Sequence, residues 1–304
     1  MSGNNQKWIL VKFKMNFKKK HISILGLGNI SLILCRYLIN KNFIVSGVTD
    51  DKTRKEKLSR LGVKVYSKKN VAKSIQNADT LIITTPPDLN GCPIIRNYSA
   101  EIIKSNINWI GYLSSTAVYG NHYGKAVDEN SELNPQDKIA FSRLKGEQDV
   151  LALQSEKNFI IEIFRISGIY GINRNVFRKI ISNNIRPIYK KNHFFNRIHE
   201  EDIAKTLVCA AFSSRNSGII NLSDDLPSSQ LDIVLYASRL LNIQLPKVEN
   251  YDEINNSLEA SIKKYWDNNK KINNSLFKER YGSLMFPTYK EGLLNIYKIM
   301  FSDS

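Results

Sequence analysis

The chain has 304 residues, 42% hydrophobic and 10% aromatic, a globular composition long enough for one large α/β domain that buries roughly three quarters of its unfolded surface. No apolar run approaches the ~20 residues that cross a bilayer, so no membrane partner is expected. The net charge of +16 is spread as lysine along the whole chain without a dense basic stripe, which argues against nucleic acid and for attraction of an anionic cofactor or substrate.

Residues 1–20 form a basic N-terminal extension. Its apolar stretch, Trp8 to Val11, is too short for the h-region of a signal peptide. The extension is expected to be dispensable, with Met15 as an alternative start just before the first strand. Alternating apolar and lysine residues from Trp8 to Phe13 would instead suit an extra edge strand.

Residues 21 to 31 read His-Ile-Ser-Ile-Leu-Gly-Leu-Gly-Asn-Ile-Ser and are the most informative stretch. A short apolar run, Ile22 to Leu25, enters a turn on Gly26 and Gly28. A helix-like run follows at once, opening on Asn29 and Ile30. Gly26 permits the tight turn, Gly28 lets a pyrophosphate approach the backbone, and the helix N-terminus supplies partial positive charge. Ser31 stands where a third glycine is usual; a small residue still allows close helix–strand packing. Asp50, nineteen residues after Ser31 at the end of the strand-like run Phe43 to Val48, can accept hydrogen bonds from an adenosine ribose. Two glycines alone would be an ordinary turn. The strand before, the helix after and the acid at that distance point to a dinucleotide. A 2′-phosphate would meet like charge at Asp50, so NAD is the expected cofactor; Lys52 and Arg54 leave NADP open.

Strands are predicted at 22–26, 43–49, 63–66, 80–84, 107–114 and 159–166, and helices at 29–40, 53–61, 70–76, 93–105 and 137–155. Unbroken isoleucine, valine and leucine runs suit strands buried on both faces. Repeated βα units imply an α/β fold, a doubly wound parallel Rossmann sheet with ligands beyond the carboxyl ends of its strands. Thr84, Thr85 and Pro86 end the fourth strand, as a rigid turn and as a wall of the cofactor cleft. Residues 21–171 are thus the dinucleotide-binding core. After Gly171 the rhythm changes. A polar helix is expected over 173–186, further helices over 202–213, 228–242 and 287–300, and a last sheet strand from Gly218 to Leu222. Residues 198–223 then return to the sheet, and 172–197 with 224–304 form a smaller substrate side. The three cysteines show no metal-ligand spacing and no disulfide framework, which suits a reducing cytoplasm; Cys35 and Cys209 fall in helical apolar patterns and are expected in the core.

Residues 109 to 120 read Trp-Ile-Gly-Tyr-Leu-Ser-Ser-Thr-Ala-Val-Tyr-Gly, which puts the hydroxyls of Ser114 and Ser115 at the carboxyl end of a central strand, where a nicotinamide ring would lie, and Ser114 is expected to contact the cofactor. Here the chain resembles the extended and atypical short-chain dehydrogenase/reductases, including the NAD-dependent epimerase/dehydratase group. It matches their S-S-x-x-V-Y-G pattern, with Ser115 on the catalytic Ser/Thr position. Phe164 to Gly171 looks like the family's segment after the sixth strand, which implies Ile166 and Gly168 beside the nicotinamide. Arg197 to Ala204 looks like its V-x-D-x-A segment, and Pro287 to Leu293 its C-terminal helix. The resemblance covers residues 21 to 300. It implies a nicotinamide cofactor and a small-molecule substrate of carbonyl or sugar type; a homodimer is compatible with it.

One departure bears on the chemistry. In that family a Y-x-x-x-K pair follows the serine, the tyrosine as general acid/base and the lysine lowering its pKa. Aligning Glu147 with the family's helix glutamate puts Ile139 at the tyrosine and Arg143 at the lysine; a second register pairs Phe141 with Lys145. Neither supplies a phenol, and proton transfer to a carbonyl oxygen needs a titratable group within reach. Tyr119 and Tyr170 are better read as packing than as substitutes. His199 with Glu200, Glu201 and Asp202 lacks a metal-ligand spacing and reads as carboxylates complementing a helix dipole. Two readings therefore stand: an oxidoreductase or epimerase-like enzyme with Ser115 polarising the substrate oxygen, or a dinucleotide-binding sensor or scaffold that has lost catalysis.

Overall fold

The computed structural model describes residues 20–213 and 216–301. The N-terminal extension up to residue 19, with the edge strand read at Trp8 to Phe13, lies outside the described residues. Seven strands form one parallel sheet: β1 (His21–Leu25), β2 (Ile44–Val48), β3 (Lys64–Tyr66), β4 (Thr80–Ile83), β5 (Trp109–Ser115), β6 (Ile160–Ile166) and β7 (Gly218–Leu222). Their order is β7-β6-β5-β4-β1-β2-β3. The chain builds outward from β1 to β3, returns to β4 beside β1 and continues the other way. That reversal leaves a crevice at the carboxyl ends of β1 and β4.

The helices are α1 (Asn29–Asn40), α2 (Lys52–Arg60), α3 (Val71–Ile75), α4 (Pro93–Lys104), α5 (Lys138–Ala152), α6 (Val176–Ile181), α7 (Glu200–Ser213), α8 (Gln230–Leu241), α9 (Tyr251–Ile254), α10 (Ala260–Asp267), α11 (Ser275–Tyr281) and α12 (Tyr289–Phe301). One face of the sheet packs on α1 and α7 through Leu34, Leu38, Ile203 and Leu207. The other packs on α3, α4 and α5 through Ile75, Ile102 and Val150. Covered on both sides, β1 and β4 bury Ile22, Ile24, Leu25, Leu81, Ile82 and Ile83 completely, each worth roughly 1.5–3 kcal/mol of transfer. No described helix is long and apolar enough to cross a membrane.

The substrate side has its own core, in which Phe177, Ile180, Val234, Leu293 and Ile296 of α6, α8 and α12 meet Tyr170. The helix expected over 173–186 is confined to Val176–Ile181. Asn183 turns to a φ of 53°, and the N–H groups of Asn183 and Asn184 close back on Ile180 O and Lys179 O at 3.0 and 2.9 Å, a left-handed C-terminal stop. Helices α9, α10 and α11 arise in an asparagine-rich stretch where the sequence predicts none. α11 is held by tertiary contact instead: the Tyr281 hydroxyl donates to both Glu162 carboxyl oxygens at 2.7 Å. Cys35 is buried, but Cys209 is exposed, because the buried stripe of α7 runs through Ile203, Ala204, Leu207, Ala210 and Ala211 and residue 209 falls off it.

Candidate active site

β1 ends in Gly26 at a φ of +107°, where a Cβ would lie 2.5 Å from Thr85 N and 2.7 Å from Thr84 Oγ1. Only glycine fits there. Small polar residues clamp this turn. The N–H groups of Thr84 and Thr85 donate to Leu25 O at 2.9 and 3.0 Å, the Thr84 hydroxyl donates to Gly26 O, and buried Ser31 donates to the same carbonyl at 3.0 Å. Gly28 differs. Its φ of −88° suits any residue, and a Cβ there would meet nothing within 4 Å. It caps the N-terminus of α1 with no side-chain cap, so the space a side chain would enter is the cleft in front of free helical N–H groups. An anionic pyrophosphate fits that cradle.

The cleft holds about 680 Å³ and runs from this turn between the ends of β2 and β4. Val48, Val71, Ile94 and Tyr98 give it apolar walls. Asp50 Oδ1 accepts the Lys68 N–H at 2.9 Å, and Oδ2 lies 4.0 Å from Lys68 Nζ. Arg54, whose N–H is capped by Asp51 at 2.8 Å, sends Nη2 to within 3.5 Å of Asn29 Oδ1. Gly26, Gly28, Asp50, Thr84, Thr85 and Pro86 line this one cleft, and Asn29 borders it through Arg54. Ile30 instead packs on the core beneath α1. Lys68 went unseen in the sequence; it reaches Asp50 only because β3 lies beside β2.

On the nicotinamide side, Ser115 Oγ accepts the Ala117 N–H at 3.1 Å and caps the short 3₁₀ turn Thr116–Tyr119. Among the described residues no group accepts its own O–H proton. Ser114 points the other way. It is buried and donates at 2.5 Å to Glu147, which pairs with Arg165 at 2.8 Å, so its hydroxyl belongs to an interior network and not to the cleft. Arg143 Nη1 donates to Leu113 O of β5 at 3.1 Å. Ile139, one turn earlier on the same helix face, is 60% exposed. In the other register Phe141 is also exposed, but the stem of Lys145 lies against Gly91. Of the two cations, Arg143 is the one bonded at the end of β5. The Ile166 side chain is in the core, and Gly168 donates its N–H to Asn196 O at 3.0 Å.

Tyr119 is fully buried, and its hydroxyl donates to Asn221 Oδ1 at 2.8 Å. Tyr170 packs against Gly292 of α12 and edge-on to His199 at 5.1 Å. Burial raises the pKa of both phenols. Burial pushes His199 down to about 4, and its Nδ1 accepts the Glu201 N–H at 3.2 Å. Glu200, Glu201 and Asp202 form the acidic first turn of α7, where Glu200 also accepts the Ile172 N–H at 2.9 Å and Asp202 those of Met285 and Phe286 at 2.6 and 3.1 Å. Among the described residues no cluster of metal-ligating side chains occurs.

No family model and no curated protein matches the chain. Solved structures do. A functionally unknown conserved protein from Silicibacter pomeroyi is 30% identical, with 91% of this chain and 98% of that one covered at a TM-score of 0.84. UDP-glucuronic acid 4-epimerase from Bacillus cereus, in complex with NAD, is 15% identical over 92% and 99% of the two chains, TM-score 0.72. UDP-N-acetylglucosamine 4-epimerase from the same organism is 13% identical over 93% and 99%, TM-score 0.69. The architecture is that of the extended short-chain dehydrogenase/reductases of the epimerase/dehydratase type. The chain belongs to one family with the Silicibacter protein.

Proposed function

We propose that the chain is a cytoplasmic, nicotinamide-dinucleotide-dependent oxidoreductase or epimerase-like enzyme acting on a small carbonyl or sugar-type molecule. Gly28 carries this reading: its glycine relieves no strain and no clash within the protein, yet it lines the cleft at the head of α1. The NAD complex of the similarly folded epimerase supports it. The head of α1 would hold the pyrophosphate and Asp50 the adenosine ribose, which favours NAD over NADP. A nicotinamide held there would supply the hydride acceptor or donor. Ser115 donates its free O–H to the substrate oxygen, and Arg143 offers its remaining N–H groups to the nicotinamide ribose.

Calorimetric titration with NADH and NADPH tests this. The wild type should bind NADH more tightly, and Gly28→Val should lose binding at an unchanged thermal midpoint. Failure of the wild type to bind either cofactor overturns the enzyme reading; equal or tighter NADPH binding overturns the NAD preference.

The exposed Ile139 favours the second reading, a sensor without catalysis, since no phenol stands where the family has one. The double change Ile139→Tyr with Arg143→Lys separates the two. Lysine can lower the phenol's pKa by electrostatics, and general acid/base catalysis is worth roughly 10²- to 10⁴-fold. NADH oxidation against small aldehydes and ketones should rise accordingly, and Ser115→Ala should reduce it. Cofactor binding with no activity in any variant would establish the sensor; a fast wild type indifferent to Ser115→Ala would remove Ser115 from the chemistry.

A further inference from the structure

Lys270 is 6% exposed. Its main chain is fixed from two sides. The strand that follows it, Lys271–Ile272, pairs with Ala126–Val127, and Asn196 donates to Lys270 O at 2.9 Å while accepting the Ile272 N–H at 2.8 Å. The ammonium donates one N–H to Gly120 O at 2.9 Å. Among the described residues no protein group accepts its other two protons, and no carboxylate forms an ion pair with it. Burial alone pushes its pKa down to about 8.

The groups around it supply no counter-charge. His193 is 2% exposed beside the Trp266 backbone, and Lys270 and Lys190 both disfavour its charged form. Lys190 Nζ is taken by Trp266 O at 2.7 Å, and the carboxylates that act on Lys190, Asp252 and Asp267, do not act on Lys270.

Gly120 ties this corner to the active site. Its N–H donates to Ala117 O at 3.0 Å, and the Ala117 N–H donates to Ser115 Oγ at 3.1 Å. A buried, unpaired cation thus docks from the substrate side onto the turn that begins at Ser115. Desolvating an ammonium without a counter-charge works against folding, and an apolar chain of the same length would serve the fold better. Its two unused protons suit an anion that arrives from outside.

We propose that Lys270 anchors an anionic group of the substrate, a carboxylate or a phosphate, at the end of the Ser115 turn. The inference rests on the enzyme reading above and adds the substrate class: an acid or a phosphate ester that also bears the reacting carbonyl or hydroxyl.

Thermal midpoints of the full chain, at ionic strength held constant with chloride, test it with inorganic phosphate and acetate as separate probes. The wild-type midpoint should rise with at least one of them, phosphate alone marking a phosphate ester and acetate marking a carboxylate. Lys270→Met should show no response and, without anion, a midpoint above the wild type's. Lys270→Gln, which keeps a donor for Gly120 O but no charge, should also fail to respond, and it serves if the methionine variant does not fold. No wild-type response, an equal response in the variants, or a Lys270→Met midpoint below the wild type's would each overturn the anchor, the last revealing a cation that only braces Gly120. NADH titration of the same samples keeps the two readings apart. Cofactor binding without an anion response sinks the anchor alone, whereas absent cofactor binding sinks the enzyme reading.

Discussion

Arg165 and Lys270 are both buried cations, one in the nucleotide half and one on the substrate side, and the protein houses them differently. Arg165 on β6 meets Glu147 of α5 at 2.8 Å, with both side chains 2% exposed. Ser114 donates to the same carboxylate, the Arg165 guanidinium lies 4.9 Å over the Tyr119 ring, and Tyr119 passes on to Asn221 of β7. The network runs along β5, α5, β6 and β7, and within it Arg165 Nη1 has no hydrogen-bond partner among the described residues. On the substrate side, Lys270 has one carbonyl, and among the described residues His199 Nε2 and Asp224 Oδ2 have no hydrogen-bond partner. Buried charges are ordinarily paired, so the difference lies in the counter-charge: Arg165 has Glu147, whereas among the described residues Lys270 has no carboxylate.

The largest effect should come from breaking the Arg165–Glu147 pair. Glu147→Ala strands Arg165 in the interior, which costs about 3–5 kcal/mol, read as a fall in the urea midpoint. Adding Arg165→Met should restore most of that loss, because an apolar pair of similar volume needs no counter-charge. A loss below about 1 kcal/mol for Glu147→Ala would mean that Arg165 is solvated, and the contrast with Lys270 would collapse.

That contrast was only half legible in the sequence. The Rossmann core could be read because its strands are short apolar runs buried on both faces and its glycine turn has a fixed stereochemical task. Glu162 and Arg165, set inside the apolar run Ile160 to Ile166, signal buried partners, but they do not say which: Arg165 pairs with Glu147 on the preceding helix, Glu162 with Tyr281 more than a hundred residues further on. Ser114 and Ser115 are adjacent in sequence, yet alternation along a strand sends one hydroxyl inward and leaves the other at the rim, and two serines in a row look alike. Lys270 is one of 44 lysines and arginines in a chain biased toward lysine, so composition hides it. Its burial depends on Asn196 and on strand pairing with residues 126–127, contacts no local pattern announces.

A smaller effect should sharpen the comparison from the acidic side. Asp224, two residues beyond β7, is 1% exposed; Oδ1 accepts the Leu226 N–H at 3.3 Å and Oδ2 accepts nothing. Arg197 acts on it, but that guanidinium bonds Phe195 O at 3.1 Å and Ser228 Oγ at 3.2 Å rather than the carboxylate. Burial therefore pushes Asp224 up to about 8, with Asp225 and Asp202 adding to the rise. A carboxyl whose folded pKa lies above its unfolded one contributes its full stability below the unfolded pKa and loses it as pH rises through the folded pKa. The slope is at most about 1.4 kcal/mol per pH unit. His193 and His199, pushed down to about 4, act the opposite way below 6.5, so pH 6.5 to 8 is the clean window. Glu162, pushed up to about 7, adds its own slope there but is common to both proteins and cancels in the difference. Asp224→Asn keeps the size and removes the titration. Its thermal midpoint should match the wild type's near pH 6.5 more closely than at pH 8, where the wild type should have fallen further. Parallel curves across the window would show that Asp224 is already ionised in the folded protein, paired with Arg197, and the substrate side would then close its charges as the nucleotide half does.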